Sequence, residues 1–433
     1  MSRYGARFFG LWGLGREVVL RSGRLSAATA VLLAGSLLTG CGGQKHSTHA
    51  DLSVDAPDAL VDRAVHISVS GLRAGDRVSV TSAASDAQGK TWHGNATFRA
   101  DAQGRVDLVR DRPTSGTYTG VDGMGLFWSM NPPSGDPDDQ GFRGPVPSFQ
   151  VTIGVTAHGK RLAQRTLTRR WLASGVTQKT FTPAADKVSG VLFSPPPGTP
   201  RRPAVLVFGG SEGGNSGVTD VALLASHGFP ALSIAYFAEP GLPRYLNSIP
   251  IEYFARAARL LAAQPGADPA HLIVQGYSRG SEAALLVAQL YPGVVHGVID
   301  YAPSATANGG FPNGPAWTNG GQQIPLAPLA VDHINGPVLA IAGSADALWG
   351  SEPAARQIMK ELDQAPDRFQ HRMLVYPGAG HGVGTFPYIP GGTKIRHPVT
   401  GQLFDLGGSR PANDLARRQG WDQVLGWLAA LGH

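Results

Sequence analysis

The chain has 433 residues, of which 42% are hydrophobic and 16% are charged, and it contains 58 glycines and 33 prolines. This composition is typical of a folded globular protein with many turns and excludes wholesale disorder, and the length favours two domains. The formal net charge is +6, but five arginines and one glutamate in residues 1–40 account for +4, which leaves +2 for the rest. Because that rest has no long basic run and no recognisable nucleic-acid-binding module, we exclude DNA or RNA as a partner.

The first 40 residues have the pattern of an export signal. An arginine-bearing stretch ends at Arg24, an apolar run covers residues 27–38, and Leu-Thr-Gly precedes Cys41. This pattern is typical of a bacterial signal peptide with a lipobox, in which small residues admit the peptidase and the cysteine receives lipid. Cys41 is the sole cysteine of the sequence, so an intramolecular disulfide and a cysteine-based metal cluster are excluded. We expect an exported protein whose Cys41 anchors it to the membrane of the cell envelope; the alternative is a chance cysteine after an apolar N-terminal helix.

Residues 51–172 have the pattern of an all-β domain. Short alternating runs, such as residues 65–69, 77–81 and 148–153, are separated by glycine-containing turns. Regular short strands without helical periods predict an immunoglobulin-like β-sandwich, here without a disulfide. We interpret the polar residues 41–50 before it as a tether.

After a linker with the first strands at residues 173–200, the pattern changes to alternating strands and helices over residues 201–433. Unbroken apolar runs predict strands at residues 204–208, 231–234, 272–274, 294–299 and 338–342. Apolar residues at helical spacing predict helices at residues 251–263, 281–290, 352–362 and 415–431. Strands buried on both faces that alternate with helices predict an α/β class with a doubly wound, mostly parallel sheet.

A buried strand, a Gly-x-Ser-x-Gly motif and a series of good helix formers follow one another over residues 272–286. Gly276, Ser278 and Gly280 occupy the motif positions. In a nucleophile elbow the serine lies in a strained turn, so the residues two before and two after it must be small. The new helix points its first amides at the site, which places the amide of Arg279 to bind a developing oxyanion. The motif predicts Ser278 as the nucleophile.

A second Gly-x-Ser-x-Gly, at residues 209–213, also follows a strand, so the pentapeptide alone does not decide between Ser211 and Ser278. The residues after Ser211 are glycine-rich and make a poor helix start. The segment follows the first clear parallel-type strand, where α/β-hydrolases carry the loop that supplies the other oxyanion donor. We therefore interpret Gly210 and Ser211 as oxyanion-hole residues. The loop lacks the Gly-Lys-Ser/Thr ending of a P-loop, which weakens a phosphate-binding interpretation.

Two later strand ends supply an acid and a base. Asp346 follows one buried strand, and His381 follows the next on a glycine-rich loop. The order serine, acid, histidine is the chain order of this fold. We expect Asp346 to orient the imidazole, and His381 to take the proton of Ser278 and pass it to the leaving group. Asp300, at the end of the preceding strand, is the alternative acid; taken alone, each residue also fits a turn aspartate or a surface histidine.

Beyond these motifs, the sequence resembles the family of acyl-CoA thioesterases and bile acid-CoA:amino acid N-acyltransferases over about residues 55–431. The segments that carry the resemblance are residues 59–62, 70–72, 116–130 (Gly-Thr-Tyr-Thr-Gly-Val-Asp-Gly-Met-Gly-Leu-Phe-Trp-Ser-Met), 242–246, 249–254, the three catalytic segments, and Gly407-Gly408 before Trp421. The resemblance implies an immunoglobulin-like domain followed by an α/β-hydrolase domain. In the family's transferases a cysteine commonly replaces the nucleophilic serine, so Ser278 favours hydrolysis.

The resemblance implies a serine hydrolase that cleaves acyl thioesters or esters. Acyl-CoA is a cytosolic substrate, whereas Cys41 predicts export, so the sequence supports thioester or ester cleavage better than CoA itself. The alternatives are transfer of the acyl group to an amine, an exported carboxylesterase that does not use CoA, and a catalytically inactive envelope binding lipoprotein. We expect no cofactor, no metal and no obligate protein partner. Residues 306–329, rich in Gly, Asn and Pro, are either a wall of the acyl pocket or an ordinary surface loop.

Overall fold

Two β-sheets form the first part of the described chain. The structure is a computed structural model that describes residues 49–366 and 368–432, so the predicted export signal and Cys41 lie outside the described residues. The strands are β1 (Asp51–Val54), β2 (Asp58–Leu60), β3 (Ile67–Ser70), β4 (Arg77–Ser85), β5 (Thr91–Arg99), β6 (Val106–Asp107), β7 (Ser115–Gly116), β8 (Ser148–Ala157) and β9 (Lys160–Arg170). One sheet has the order β1-β3-β6 and the other β2-β9-β8-β4-β5-β7. The pairing is antiparallel except between β2 and β9.

Alternation of apolar and polar residues explains why these two sheets pack together. Val78 and Val80 of β4 are buried between polar neighbours that are exposed or half-buried. Ile67 and Val69 of β3 repeat this pattern, and the inward residues of both sheets belong to one apolar cluster. Because side chains alternate across a strand, one face of each sheet enters the core and the other meets water. An antiparallel sandwich therefore forms the first part of the fold, as predicted.

The second part is built on an eight-stranded sheet of order β10-β11-β13-β12-β15-β16-β19-β20. Its elements, with two small added sheets, are β10 (Thr177–Phe181), β11 (Ser189–Ser194), β12 (Arg202–Phe208), β13 (Ala231–Ala235), β14 (Ile249–Pro250), β15 (Ala267–Tyr277), β16 (Val298–Tyr301), β17 (Trp317–Asn319), β18 (Gln322–Gln323), β19 (Val338–Gly343), β20 (Arg372–Tyr376), β21 (Lys394–Arg396) and β22 (Leu403–Asp405). The helices of the described chain are α1 (Gly125–Trp128), α2 (Pro183–Asp186), α3 (Val218–Ser226), α4 (Ile251–Ala262), α5 (Arg279–Leu290), α6 (Ser351–Leu362) and α7 (Arg410–Leu431), with 3₁₀ turns at Pro137–Asp139 and His381–Val383.

The strand order identifies the eight-stranded sheet as doubly wound. From β13 to β20 all neighbours are parallel, while β10 and β11 add an antiparallel edge. The chain moves outward from β12 in one direction to β13 and then in the other direction from β15 to β20. Every residue of β13 and β19 is buried, as expected for strands covered by helices on both faces. The predicted fold class is confirmed. Within residues 49–366 and 368–432, no helix is both long and apolar enough to cross a bilayer.

Several predicted elements differ from the structure. Strand β16 covers Val298–Tyr301 rather than residues 294–299. Helix α7 begins at Arg410 rather than at residue 415, because the hydroxyl of Ser409 accepts a hydrogen bond from the amide of Ala412 and Pro411 lies in the first turn. Residues 306–329 are more ordered than a loop, since β17 and β18 join β14 in a three-stranded sheet.

Polar contacts join the β-sandwich to the second part. The carboxylate of Asp62, 3% exposed, accepts a hydrogen bond from Trp421 Nε1 at 2.8 Å and contacts His227 Nε2 at 2.6 Å. Asp122 accepts from the guanidinium of Arg418 at 3.1 and 3.3 Å. Both aspartates belong to segments that carry the family resemblance. The two parts form one compact unit, and the boundaries of the two domains stay a prediction.

Candidate active site

Ser278 lies in a strained turn between β15 and α5. Its φ is +56° with ψ −119°, a conformation that side-chain-bearing residues rarely adopt. A Cβ atom on Gly276 would lie 2.2 Å from the Gly280 carbonyl oxygen, and one on Gly280 would lie 2.3 Å from the Gly209 carbonyl oxygen. Strand, turn and helix therefore fit together only with glycine at these two positions, which is the geometry of a nucleophile elbow.

Ser278, His381 and Asp346 lie in one line of contacts. His381 Nε2 is 2.8 Å from Ser278 Oγ, and His381 Nδ1 is 2.9 Å from Asp346 Oδ2. The second carboxylate oxygen of Asp346 accepts from the backbone amides of Leu348 and Trp349 at 2.9 and 3.1 Å. A carboxylate that accepts at Nδ1 places the imidazole proton there, so Nε2 is free to accept the proton of the serine hydroxyl.

The Gly407-Gly408 pair holds the acid loop and the histidine loop together. Isolated β-bridges pair Asp346 with Gly407 and Ala379 with Gly408. The backbone amide of His381 donates a hydrogen bond to the carbonyl oxygen of Leu406 at 2.6 Å. Both glycines have positive φ, +72° and +71°, and a Cβ on Gly407 would lie 2.1 Å from a backbone oxygen of the acid loop. The loops that carry Asp346 and His381 pass so close to these two residues that only glycine fits at both positions.

The alternative acid, Asp300, is placed differently. It lies at the end of β16 with its side chain fully buried, and burial raises its pKa to about 8. A carboxyl group with this pKa is mostly protonated at neutral pH and does not stabilise an imidazolium ion. The histidine ring contacts Asp346 instead.

The structure separates the three residues assigned to the oxyanion hole. The amide of Gly210 donates to both carboxylate oxygens of Glu212 at 3.0 Å, so it is already paired. In the described part of the chain, the amides of Ser211 and Arg279 donate to no protein acceptor. A Cβ on Gly210 would lie 2.9 Å from Ser278 Cβ, which shows that this loop lies against the serine. The loop therefore presents the Ser211 amide rather than the Gly210 amide as an unpaired donor.

A buried ion pair ties residues 306–329 to the start of α5. Glu282 is fully buried and lies 3.0 Å from the Nε atom of Arg279. Its carboxylate also accepts from Asn308 Nδ2 at 2.8 Å and Trp317 Nε1 at 2.7 Å. Burial raises the pKa of Glu282, while the neighbouring guanidinium opposes that shift. This network fixes the segment beside the helix that begins immediately after Ser278.

Sequence reasoning missed three residues that contact the loop at residues 209–213. Tyr236 directly follows β13, and its position at the carboxyl end of a buried strand was the available signal. Glu212 lies within the loop itself. His397, on the hairpin of β21 and β22, is buried and lies close to the backbone of Ser211; nothing local in the sequence indicates this proximity.

A doubly wound sheet with a serine elbow, and with an acid and a histidine after later strands, defines the α/β-hydrolase class. The family model described as "Acyl-CoA thioester hydrolase/BAAT N-terminal region" matches residues 62–182, and the model described as "BAAT / Acyl-CoA thioester hydrolase C terminal" matches residues 321–431. The chain belongs to the acyl-CoA thioester hydrolase/BAAT family.

Relatives in this family span nearly the same length. Peroxisomal succinyl-coenzyme A thioesterase of Mus musculus is 28% identical over 413 residues, covering 84% of this chain and 92% of that protein. Acyl-coenzyme A thioesterase 6 of Homo sapiens is 28% identical over 398 residues, with the same coverage of 84% and 92%.

Among solved structures, a dienelactone hydrolase from Anabaena variabilis matches 48% of this chain and 88% of its own, at 19% identity and a TM-score of 0.32. A puromycin-hydrolyzing peptidase from Mycobacterium tuberculosis matches 80% and 53%, at 15% identity and a TM-score of 0.42.

Proposed function

We propose that this protein is a thioester hydrolase of the acyl-CoA thioesterase type and that Ser278, His381 and Asp346 are its catalytic triad. The observation that carries the proposal is the unbroken line of contacts from Ser278 Oγ through the imidazole to the carboxylate, at 2.8 and 2.9 Å. The names of the curated relatives support a thioester substrate. The serine, rather than a cysteine, supports water as the acyl acceptor.

The reaction has two halves. His381 Nε2 takes the proton of the Ser278 hydroxyl as its oxygen attacks the acyl carbon, and Asp346 stabilises the imidazolium that forms. The tetrahedral intermediate collapses by breaking the bond from the acyl carbon to sulfur, and the imidazolium proton passes to the leaving thiolate. Water then attacks the acyl-serine ester, with the same imidazole as base, and releases the carboxylic acid and the free hydroxyl.

The amides of Ser211 and Arg279 are the donors that we assign to the developing oxyanion. Arg279 is the first residue of α5, so its amide has no acceptor within the helix and lies at the positive end of the helix dipole. Ser211 supplies a second amide from the loop that lies against Ser278. Two backbone donors held in a buried site stabilise the negative charge with little reorganisation.

A rapid-mixing assay tests this function. Because the acyl-serine ester is more stable than the thioester, deacylation should limit turnover, and a chromogenic thioester should release a burst of thiol equal to the enzyme concentration. The purified protein should hydrolyse medium- or long-chain acyl-CoA in the same assay. Addition of amine acceptors should yield no amide. Folded protein that cleaves neither thioesters nor esters would contradict the proposal, and amide formation in place of acid would assign it to transfer.

A second candidate, an exported carboxylesterase, is favoured by one observation, the lipobox-like sequence before Cys41. We propose that Cys41 becomes the lipidated first residue of an envelope protein, where lipid esters or other acyl conjugates are more accessible than CoA. Efficient cleavage of aryl esters without cleavage of any acyl-CoA would replace the thioesterase assignment by carboxylesterase and leave the triad unchanged.

A further inference from the structure

The loop that carries the Ser211 amide has little conformational stability of its own. Gly209 and Gly210 come before the serine, and Gly213 and Gly214 come after Glu212. Glycine allows many backbone conformations, so the peptide groups of such a loop rotate easily. An amide that must face a developing oxyanion has to be held in place before the reaction, because reorientation during the reaction would cost part of the stabilisation.

Tyr236 contacts this loop from the end of β13. Its hydroxyl donates a hydrogen bond that is shared between the carbonyl oxygens of Gly209, at 2.9 Å, and Gly210, at 2.7 Å. The side chain is 2% exposed, so water does not compete for this donor. Burial also raises the pKa of Tyr236 well above its ordinary value, and the hydroxyl therefore keeps its proton throughout the working pH range.

Peptide geometry transmits this contact to the Ser211 amide. The peptide bond between Gly210 and Ser211 is planar and trans, so its carbonyl and N–H groups point in opposite directions. With the Gly210 oxygen fixed on Tyr236, the Ser211 N–H points away from the tyrosine and donates to no acceptor in the described part of the chain. Gly210, the first residue of this pair, lies against Ser278 Cβ.

Two other side chains lie next to the neighbouring peptide groups. Glu212 accepts from the Gly210 amide through both oxygens at 3.0 Å. The Nδ1 atom of His397 accepts from the amide of Thr400 at 3.1 Å, and the imidazole ring lies close to the backbone of Ser211. Neither contact fixes the peptide group that contains the Ser211 N–H.

We propose that Tyr236 is a positioning residue for the oxyanion hole: its hydroxyl holds the peptide between Gly210 and Ser211 in the orientation that presents the Ser211 amide to the oxyanion. This inference rests on the proposed hydrolase function. It predicts that removing one oxygen atom, which hydrogen-bonds Gly209 and Gly210 and no triad residue, selectively weakens transition-state binding.

The substitution Tyr236→Phe isolates this oxygen. The ring packs against Phe208, Phe237, Phe254 and Trp317 at centroid distances of 6.4, 5.1, 5.1 and 5.9 Å, and phenylalanine keeps these contacts. A matched control is Tyr253→Phe, because the hydroxyl of Tyr253 donates to the backbone of Ala235 at 2.6 Å in the same region without touching the loop.

We expect Tyr236→Phe to lower kcat for a chromogenic thioester roughly 10- to 100-fold with KM within about twofold of wild type, since loss of a whole oxyanion donor costs about 10²- to 10³-fold. A trifluoromethyl ketone, which forms a tetrahedral oxyanion on the serine, should bind the variant more weakly by the same factor. Tyr253→Phe should lower the melting temperature without changing kcat or inhibitor affinity.

The outcomes separate this inference from the proposed function. An inactive wild type that also fails to react with a fluorophosphonate would overturn the hydrolase function and the role of Tyr236 together. An active wild type with Tyr236→Phe within twofold in kcat would overturn the positioning role alone. A loss of activity that follows only the unfolded fraction, or a change in KM without a change in kcat, would also overturn it.

Discussion

Exchanging the proposed triad acid for its amide, Asp346→Asn, tests the line of contacts at its least exposed side chain. One oxygen of Asp346 accepts from two backbone amides, those of Leu348 and Trp349, and the other contacts His381 Nδ1. In the variant the amide oxygen keeps the two backbone donors, so the NH₂ group must face the imidazole. An NH₂ group donates to Nδ1, which moves the ring proton to Nε2 and removes the base that Ser278 needs.

The size of the effect follows from the loss of the correct tautomer. The same exchange in a serine-protease triad lowers kcat about 10⁴-fold. At about 1.36 kcal/mol for each factor of ten, this is a loss of about 5.4 kcal/mol of transition-state stabilisation. The free energy of unfolding should change little, because the amide has the same shape and keeps the backbone contacts of the carboxylate.

Steady-state kinetics with a chromogenic thioester measure this prediction. The matched control is Asp300→Asn, which makes the same exchange at a buried acid of the adjacent strand that does not contact the imidazole. We expect Asp346→Asn to lose about four orders of magnitude in kcat and the control to stay within about threefold of wild type. If Asp346→Asn kept a tenth of the wild-type kcat, or if the control lost as much activity, our assignment of the acid would be refuted.

Three further predictions concern stability and location. Asp62→Ala removes the partner of the buried Trp421 indole N–H and of the more exposed His227 ring, between the β-sandwich and the second part, and urea denaturation should show a loss of about 1–3 kcal/mol. Burial raises the pKa of Asp300 to about 8, so between about pH 4 and 8 the folded chain keeps a proton that the unfolded chain releases. The unfolding free energy of wild type should therefore fall relative to that of Asp300→Asn as the pH rises through this range. Parallel pH profiles of the two proteins would contradict this. Cys41→Ala should leave the protein unprocessed or release it from membranes, as measured by fractionation and N-terminal mass analysis; a wild-type protein with an unmodified N-terminus elsewhere in the chain would be inconsistent with lipidation.

The architecture of the second part was predictable because it depends on local signals. Apolar runs bounded by glycine or proline mark strands that are buried on both faces, and β12, β13 and β19 lie where these runs are. The bounds of α4 and α6 agree with the predicted helices to within one residue. The earlier start of α7 is indicated in the sequence by Ser409, the N-cap residue, and by Pro411 in the first turn. These two residues mark the start of the helix more clearly than its weak apolar periodicity does.

Site residues were predictable where the chain marks strand ends, and not where the contact comes from a distant element. Ser278, Asp346 and His381 each follow a strand of the eight-stranded sheet, so chain order and glycine spacing indicated all three. The pairing of the Gly210 amide with Glu212 depends on side-chain orientation inside the loop. Sequence spacing carries no information about such a contact, and the same holds for His397, 186 positions after the serine that it contacts.

The central claim is that Ser278 forms the acyl-enzyme. The most direct measurement is peptide mass mapping of protein that is quenched in acid during turnover of an acyl thioester. We predict the acyl adduct on Ser278 in wild type and in Ser211→Ala, which should be a weakened enzyme, and no adduct and no turnover in Ser278→Ala. An adduct on Ser211, or a Ser278→Ala variant that still turns over the thioester, would contradict the account.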